Sequence, residues 1–248
     1  MSIKRLVHIC AAGCGIALLA GCSSSSSKTH TTTSGSPTTS SSSSPATSAS
    51  PAPASLSQLK RIVLQPADLP TGWKGTPYQA DPSDAAYESA LVKCVGARNT
   101  DSDKVAEANS DDLALGDASI SSSATSYRSQ SDLDADIAML HSPKLTPCYE
   151  QLAKKQFATS LPAGATIESA SIKITHGSAG GPANVVATGA GTIQVKVNGQ
   201  QATVYLTVAF ITGPLIEAEV DTENVGTPVS PSVVKSLVAA VATRAAKA

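Results

Sequence analysis

The 248-residue sequence lacks an excess of basic residues, a long apolar run after residue 22, and any recognisable catalytic motif. Its net charge of −1 provides no positive field that would attract a nucleic acid. No apolar run beyond residue 22 approaches the roughly 20 residues that a transmembrane helix needs. There is no G-x-S-x-G motif and no phosphate-binding loop, and the two histidines of the folded part, His141 and His176, lie far apart. We therefore expect no nucleic-acid partner, no cofactor, no metal site and no catalytic residues.

The N-terminus has the pattern of an export signal. Lys4 and Arg5 precede a short apolar stretch over residues 6–20, which is typical of a secretory signal peptide. The stretch ends in Leu19-Ala20-Gly21-Cys22, which resembles the lipobox of bacterial lipoproteins. The resemblance implies that residues 1–21 are removed, that Cys22 is acylated, and that the acyl chains anchor the protein on the extracytoplasmic face of the cell membrane. The alternative is an ordinary signal peptide in which the cysteine is incidental.

A low-complexity tether follows the predicted acylation site. Residues 22–56 consist of Cys22 and a tract of mainly Ser, Thr, Pro and Ala without aromatic or acidic residues. Such a tract buries too little apolar surface to offset its conformational entropy, so we expect it to be disordered, with a root-mean-square span of roughly 30 Å. It also resembles the O-glycosylated stalks of actinobacterial lipoproteins. Residues 57–248 remain for one extracytoplasmic domain.

Two cysteines remain in the predicted domain. Of five in the chain, Cys10 and Cys14 lie in the signal and Cys22 is the acylation site, which leaves Cys94 and Cys148. An even pair in an exported protein is typical of a disulfide. The alternative is a reactive thiol at Cys148, near the predicted start of a helix.

Hydrophobic periodicity predicts an α+β domain. An antiparallel sheet of about five to six strands is expected, with helices packed on one face. Residues 99–117 are polar and acidic and are interpreted as a loop or a frayed helix. Predicted helices begin near Asp81-Pro82, Ser131, Thr146-Pro147 and Ser230-Pro231; predicted strands cover residues 74–79, 118–128, 167–174, 185–197, 203–211 and 215–223.

Acidic residues supply two candidate sites. Asp132, Asp134 and Asp136 begin like a calcium loop, but the glycine and glutamate that such a loop needs are missing, so they are interpreted as acids near a helix N-terminus. A second group, Glu217, Glu219, Asp221 and Glu223, alternates along one predicted strand and so shares one face. An exposed or edge-protecting face is one interpretation. The other is an acidic groove for a basic ligand.

Trp73 is the remaining candidate for ligand binding. It follows Gly72 in a segment rich in Pro and Gly, where a tryptophan either covers the core or stacks on a ligand.

Three features of the domain carry a family resemblance: the cysteine-bearing helices, the terminal strands followed by a helix, and the segment Leu64-Gln65-Pro66-Ala67-Asp68-Leu69-Pro70-Thr71-Gly72-Trp73. Together they resemble the exported sensor-type domains of mycobacterial lipoproteins and receptor kinases. The resemblance implies a disulfide-bonded α+β domain with a ligand-binding cleft.

The expected function is therefore that of a non-catalytic, ligand-binding or sensor-like lipoprotein. Its ligand would come from the cell wall or from lipids. Two alternatives remain open: a lipid carrier with an apolar cavity between sheet and helices, and a structural module that docks a protein partner.

Overall fold

A computed structural model describes residues 51–161, 165–177 and 181–248. The predicted signal peptide, Cys22 and most of the predicted tether lie outside these residues. Five helices are described: α1 (Leu56–Ile62), α2 (Pro82–Val95), α3 (Gln130–Leu140), α4 (Leu145–Ser160) and α5 (Pro231–Ala245). Eight strands are described: β1 (Lys74–Thr76), β2 (Lys104–Asn109), β3 (Asp112–Leu115), β4 (Ala118–Tyr127), β5 (Ala165–His176), β6 (Val185–Val197), β7 (Gln200–Gly213) and β8 (Ile216–Val225). None of the described helices is long and apolar enough to cross a membrane.

All of these strands form one antiparallel sheet in the order β1-β3-β4-β8-β7-β6-β5, with β2 also paired to β4. The predicted α+β class is confirmed, but the predicted count of five to six strands is too low. The error lies in residues 99–117, which form β2 and β3 rather than a loop or a frayed helix. These strands carry few large apolar residues, so their periodicity gave no signal, and their pairing with β4 determines their conformation.

Helices cover both faces of the sheet, so the prediction of helices on one face is wrong. Residues of β7 alternate between two apolar clusters: Val208 and Phe210 belong to one, Ala209 and Ile211 to the other. The first cluster includes buried residues of α2, α3 and α4, and the second includes those of α1 and α5. We call these the α2–α4 face and the α1/α5 face.

Turn and cap residues account for several boundaries. Asn198 and Gly199 have φ values of 50° and 84° and join β6 to β7 in the tight hairpin that this dipeptide predicts. Pro231 occupies the first position of α5, where its missing N–H costs nothing. Helix α3 begins two residues earlier than predicted because Ser129, rather than Ser131, caps it, accepting a hydrogen bond from the N–H of Asp132.

The first helix is fixed to the α1/α5 face by buried serine hydroxyls of β4. Ser126 Oγ accepts from the N–H of Ala54 at 2.8 Å, and Ser122 Oγ accepts from the N–H of Leu64 at 2.7 Å. Since Ala54 is buried, the packed domain includes residues that the sequence assigned to the tether. The polypeptide therefore enters the domain on the face opposite α2, α3 and α4.

A disulfide joins Cys94 of α2 to Cys148 of α4, with the two Cα atoms 5.8 Å apart. The predicted pairing is confirmed, and the two helices are held together where they pack on the sheet.

Candidate functional site

The acidic row, defined as Glu217, Glu219, Asp221 and Glu223, lies on a central strand and faces helices. Strand β8 pairs with β4 on one side and β7 on the other, so it is not an edge strand. Residues Ile216, Ala218 and Val220 point to the α1/α5 face, and the acidic row therefore points to the α2–α4 face. The exposed or edge-protecting interpretation is wrong.

Burial of this row is nearly complete. Glu217, Glu219 and Glu223 retain 3%, 1% and 5% of their accessible surface, and Asp221 is partly buried. Carboxylates at such positions are costly unless they are protonated, hydrogen-bonded or paired with a cation.

A column of hydroxyl groups runs along one side of the acidic row. On β4, Ser119, Ser121, Ser123 and Thr125 lie directly opposite Glu223, Asp221, Glu219 and Glu217, respectively. Directly opposed residues of antiparallel strands share a face, so these hydroxyls accompany the carboxyl groups.

A column of apolar side chains runs along the other side. On β7, Leu206, Val208 and Phe210 lie opposite Glu223, Asp221 and Glu219, respectively. The acidic row therefore separates a polar flank from an apolar flank.

A small crevice of about 30 Å³ reaches one end of this row. Asp221 and Glu223 line it together with Tyr149 of α4, and Gly189 of β6 lies in its wall. A side chain at Gly189 would fill part of this space, since a Cβ there would lie 2.7 Å from Cγ1 of Val208. The wall of the crevice therefore has room for glycine at residue 189 but not for a larger residue.

Two tyrosines from the disulfide-linked helices lie above the sheet at this point. The rings of Tyr87 in α2 and Tyr149 in α4 meet edge to face, with centroids 6.3 Å apart and planes at 87°. Burial raises the pKa of Tyr149 well above its ordinary value, and the neighbouring Tyr87, Asp221 and Glu223 add to this effect. Both phenols are therefore neutral at physiological pH.

Several polar atoms of the site are buried without a hydrogen-bond partner among the described residues. They include both carboxyl oxygens of Glu219, Oε1 of Glu223 and the hydroxyl of Tyr87. Each such group costs roughly 1–3 kcal/mol in an apolar interior. Native interiors contain few of them, and clusters of them are typical of places where another group binds.

The pKa values of the row reflect the same environment. Burial raises the pKa of Glu223 to about 8. Burial raises the pKa of Glu219 well above its ordinary value, and the charges of Asp221 and Glu217 add to the shift. Without a counter-ion, the carboxyl group of Glu223 is mainly protonated at neutral pH, and burial favours the protonated form of Glu219 as well.

The inner end of the row is a closed hydrogen-bonded group. The hydroxyl of Tyr127 lies 2.7 Å from Oδ2 of Asp136 and 3.1 Å from Oε2 of Glu217, and Thr100 donates to Oδ1 of Asp136 at 2.6 Å. Burial raises the pKa of Glu217 to about 8, and the charge of Asp136 contributes. This end is filled by side chains of the protein, in contrast to the crevice end.

One basic residue of this region is Lys104, whose ammonium group lies 2.8 Å from a carboxyl oxygen of Glu88 in α2 and 2.8 Å from one of Asp101. The described residues contain no group of three or more His, Cys, Asp or Glu side chains placed to hold a metal ion.

Trp73 does not join the acidic row. It is partly buried against the cluster of α1 and α5, on the other face of the sheet. The structure therefore separates the two parts of the predicted ligand site.

The two histidines, by contrast, are brought together. His141 follows α3, His176 ends β5, and their rings stack with centroids 4.5 Å apart. Their spacing in the sequence gives no sign of this contact, because the helix and the edge strand meet in space although they are distant in sequence.

The three aspartates of α3 also differ from the prediction. Only Asp132 lies in the first turn, where it accepts a hydrogen bond from Ser129 Oγ. Asp134 is exposed, and Asp136 is buried near the middle of the helix against Tyr127. The interpretation of all three as acids near the helix N-terminus is therefore wrong for Asp136.

Sequence reasoning missed the part of the site that α2 contributes. Asp84, Tyr87, Glu88 and Leu91 are all buried. The periodicity identified only the apolar and aromatic members of this face, because buried carboxyl groups resemble exposed ones in sequence.

No family model, curated protein or solved structure matches the chain.

Proposed function

We propose that the chain is a membrane-anchored, extracytoplasmic lipoprotein with a non-catalytic ligand-binding domain. Its crevice and acidic row bind a cationic group of the ligand. The observation that carries this proposal is that both carboxyl oxygens of Glu219 and Oε1 of Glu223 are buried without partners among the described residues. A bound cation would supply the missing counter-charge. These carboxyl groups could then be ionised, because they would no longer need a proton to avoid an uncompensated buried negative charge.

The neighbouring groups support a cation rather than an anion. Asp221 and Glu223 line the crevice together with Tyr149, and an aromatic ring attracts a cation at its face. The opposed serines of β4 add oxygen acceptors for N–H donors.

Binding can be tested with a cation and its neutral isostere. Ligand-observed NMR on the full chain in mild detergent would compare butylamine, which is protonated at neutral pH, with 1-butanol. We expect butylamine to bind and butanol not to bind. Glu223→Gln should abolish the signal, whereas Glu168→Gln, on an exposed site of β5, should leave it unchanged. Equal binding of the amine to native protein and to Glu223→Gln would reject the proposal.

The anchor requires a separate test. Cys22→Ala in the full chain should move the protein from the membrane to the soluble extracytoplasmic fraction. Mass spectrometry of the native protein should show acyl chains on residue 22. An unmodified Cys22 in membrane-bound protein would reject lipid anchoring and leave the binding proposal unaffected.

One observation favours lipid carriage as a second candidate. An open groove of about 350 Å³ lies between α5 and strands β6 and β7, with Val185, Val229, Val234 and Val238 in its walls. Native mass spectrometry of protein purified from its natural envelope would reveal a retained acyl chain. A Val238→Glu variant should then lose that mass while retaining amine binding.

A further inference from the structure

The groove on the α1/α5 face has the size of a small ligand site. Its volume of about 350 Å³ lies at the lower end of the range for small-molecule sites, roughly 300–1,000 Å³. Valines from β6, from the segment before α5 and from α5 itself form its walls. A space of this size with these walls suits one alkyl chain better than the two or three chains of a membrane lipid.

The groove exists because α5 is fixed to the sheet at one end only. Near its C-terminus, the side-chain amide of Asn184 donates to the carbonyl oxygens of Ala242 at 3.0 Å and Thr212 at 2.8 Å, which joins α5 to β7. Ala242 is fully buried there. Toward the N-terminus, Val234 is only half-buried and Pro231 is exposed. The open space therefore lies beside the first half of the helix.

The floor and the length of the groove follow from its lining. Thr188 of β6 and Ala209 of β7 lie directly opposite each other in its floor, and neither side chain is large enough to fill it. Along α5 the lining extends from Pro231 to Val238, which is roughly 10 Å of helix. With bond lengths near 1.5 Å and angles near 111°, an extended alkyl chain advances roughly 1.25 Å per carbon. About eight carbons therefore span the groove.

A single positive charge lies at this apolar site. Among the described residues that line the groove, Lys235 alone is charged. Its side chain is exposed, as expected of a lysine that keeps its ammonium group in water while its methylene groups cover apolar surface. Because helical side chains lean toward the helix N-terminus, this ammonium group is directed to the end of the groove at Pro231. An apolar groove beside a cation is complementary to an alkyl chain with an anionic head.

We infer that the groove binds a single-chain fatty acid, with the alkyl chain along α5 and the carboxylate at Lys235. This inference rests on the second candidate function, lipid carriage, and it specifies the ligand class and the orientation of the ligand in that same groove. The acidic row lies on the other face of the sheet, so the two sites are independent.

The test is isothermal titration calorimetry at pH 7.5 on the full chain in digitonin, a detergent that has no alkyl chain to compete for the groove. The probes are straight-chain carboxylates of four to twelve carbons, octan-1-ol and octylamine. We expect the affinity of the carboxylates to rise about fourfold with each methylene group up to about eight carbons, and to level off above about ten. Octanoate should bind about threefold more tightly than octan-1-ol, and octylamine should bind more weakly than either.

Two pairs of variants locate the ligand. Val234→Phe should fill the groove and weaken octanoate binding at least about tenfold, whereas Val233→Phe, on a neighbouring valine that lines a different hollow beside Leu69, should not. Lys235→Gln should weaken octanoate binding about threefold and leave octan-1-ol binding unchanged. Lys144→Gln removes the same charge from an exposed site next to α4 and should change neither.

The outcomes separate this inference from lipid carriage and from the cation site. If octanoate and octan-1-ol bind equally and Lys235→Gln changes neither, lipid carriage stands and the fatty-acid assignment is overturned. If octanoate binds Val234→Phe as tightly as the native chain, the placement along α5 is overturned. If no probe binds, lipid carriage falls with this inference, while amine binding at the acidic row is unaffected. Circular dichroism of the variants would show that they are folded, so a loss of binding is not a loss of structure.

Discussion

Gly189 of β6 and Val208 of β7 lie so close across the α2–α4 face that a Cβ on the glycine would be 2.7 Å from Cγ1 of the valine. Both residues line the crevice that reaches the acidic row. The absence of a side chain at residue 189 thus keeps this part of the wall open, and this relationship can be tested directly.

Gly189→Ala should destabilise the domain and narrow the crevice. Overpacking of this kind typically lowers the free energy of unfolding by about 1–3 kcal/mol. Urea denaturation followed by circular dichroism would measure it, and amine binding should weaken in the same variant. Ala190→Val, which adds volume on an exposed residue of the same strand, should change neither quantity appreciably.

A double-mutant cycle tests whether the close approach to Val208 is the cause of the destabilisation by Gly189→Ala. Val208→Ala removes the atom that a Cβ at residue 189 would meet, so Gly189→Ala should be less damaging in that background. Purely additive effects of the two substitutions would show that the close approach does not determine the choice of glycine.

The raised pKa values of the acidic row predict a stability that decreases as pH rises. Glu223 titrates near pH 8 in the folded chain, against an ordinary value of 4.5. Between these values the folded state binds more protons than the unfolded state, so the free energy of unfolding falls with rising pH. The slope is about 1.4 kcal/mol per pH unit for each such group. Tyr149 and Asp221 face this carboxyl group, and the slope measured on the native chain includes their contributions.

Urea unfolding of the full chain between pH 5 and pH 8 would measure this slope, using the fluorescence of the single tryptophan, Trp73. Glu223→Gln should be more stable than the native chain at pH 8, close to it at pH 5, and less dependent on pH between them. The surface variant Glu168→Gln should keep the native slope. A native stability that rises across this window would contradict the protonated state of the row.

The sequence allowed the element types to be predicted wherever local chemistry determined them. Asn198-Gly199 favours a tight hairpin because both residues adopt positive φ, Pro231 suits a first helical turn, and Cys94 and Cys148 lie on helices that apolar periodicity identified. These features depend on a few neighbouring residues.

The predictions that failed concern contacts between residues that are distant in the chain. A period of two showed correctly that Glu217 and Glu219 share a face, but not that this face is covered. Coverage requires β4 to pair with β8 and residues of α2 and α4 to pack on the same face, and these contacts join separate parts of the chain. The stacking of His141 on His176 was not predicted, for the same reason.

The disulfide should support both stability and the site. Replacing Cys94 and Cys148 together by serine removes the link between α2 and α4, which closes a sequence separation of 54 residues. The expected loss is about 4 kcal/mol from the entropy of the unfolded chain. Because Tyr87 and Tyr149 stand on these helices, amine affinity should also fall.

Thermal unfolding and amine titration of the double variant would check both effects. The double alanine variant is the matched comparison, since it separates loss of the bond from burial of serine hydroxyls. The native chain treated with a reductant should show the same thermal stability and the same amine affinity as the two double variants. Unchanged amine affinity in all three would show that the tyrosines are positioned without the bond.

Ser126 should determine how firmly the N-terminal segment is attached. Its buried hydroxyl accepts the N–H of Ala54 at 2.8 Å, immediately before α1. Ser126→Ala leaves that N–H without its acceptor, at a cost of roughly 1–3 kcal/mol. Because α1 packs on the α1/α5 face, the loss should loosen the junction with the predicted tether and leave the crevice unchanged. Hydrogen exchange should therefore accelerate at Ala54 and in α1 while β6–β8 stay protected, and amine binding should persist. Ser171→Ala, on the exposed side of β5, is the matched control. If exchange accelerates equally across the sheet in Ser126→Ala, the hydroxyl supports the whole domain rather than the attachment of its first helix.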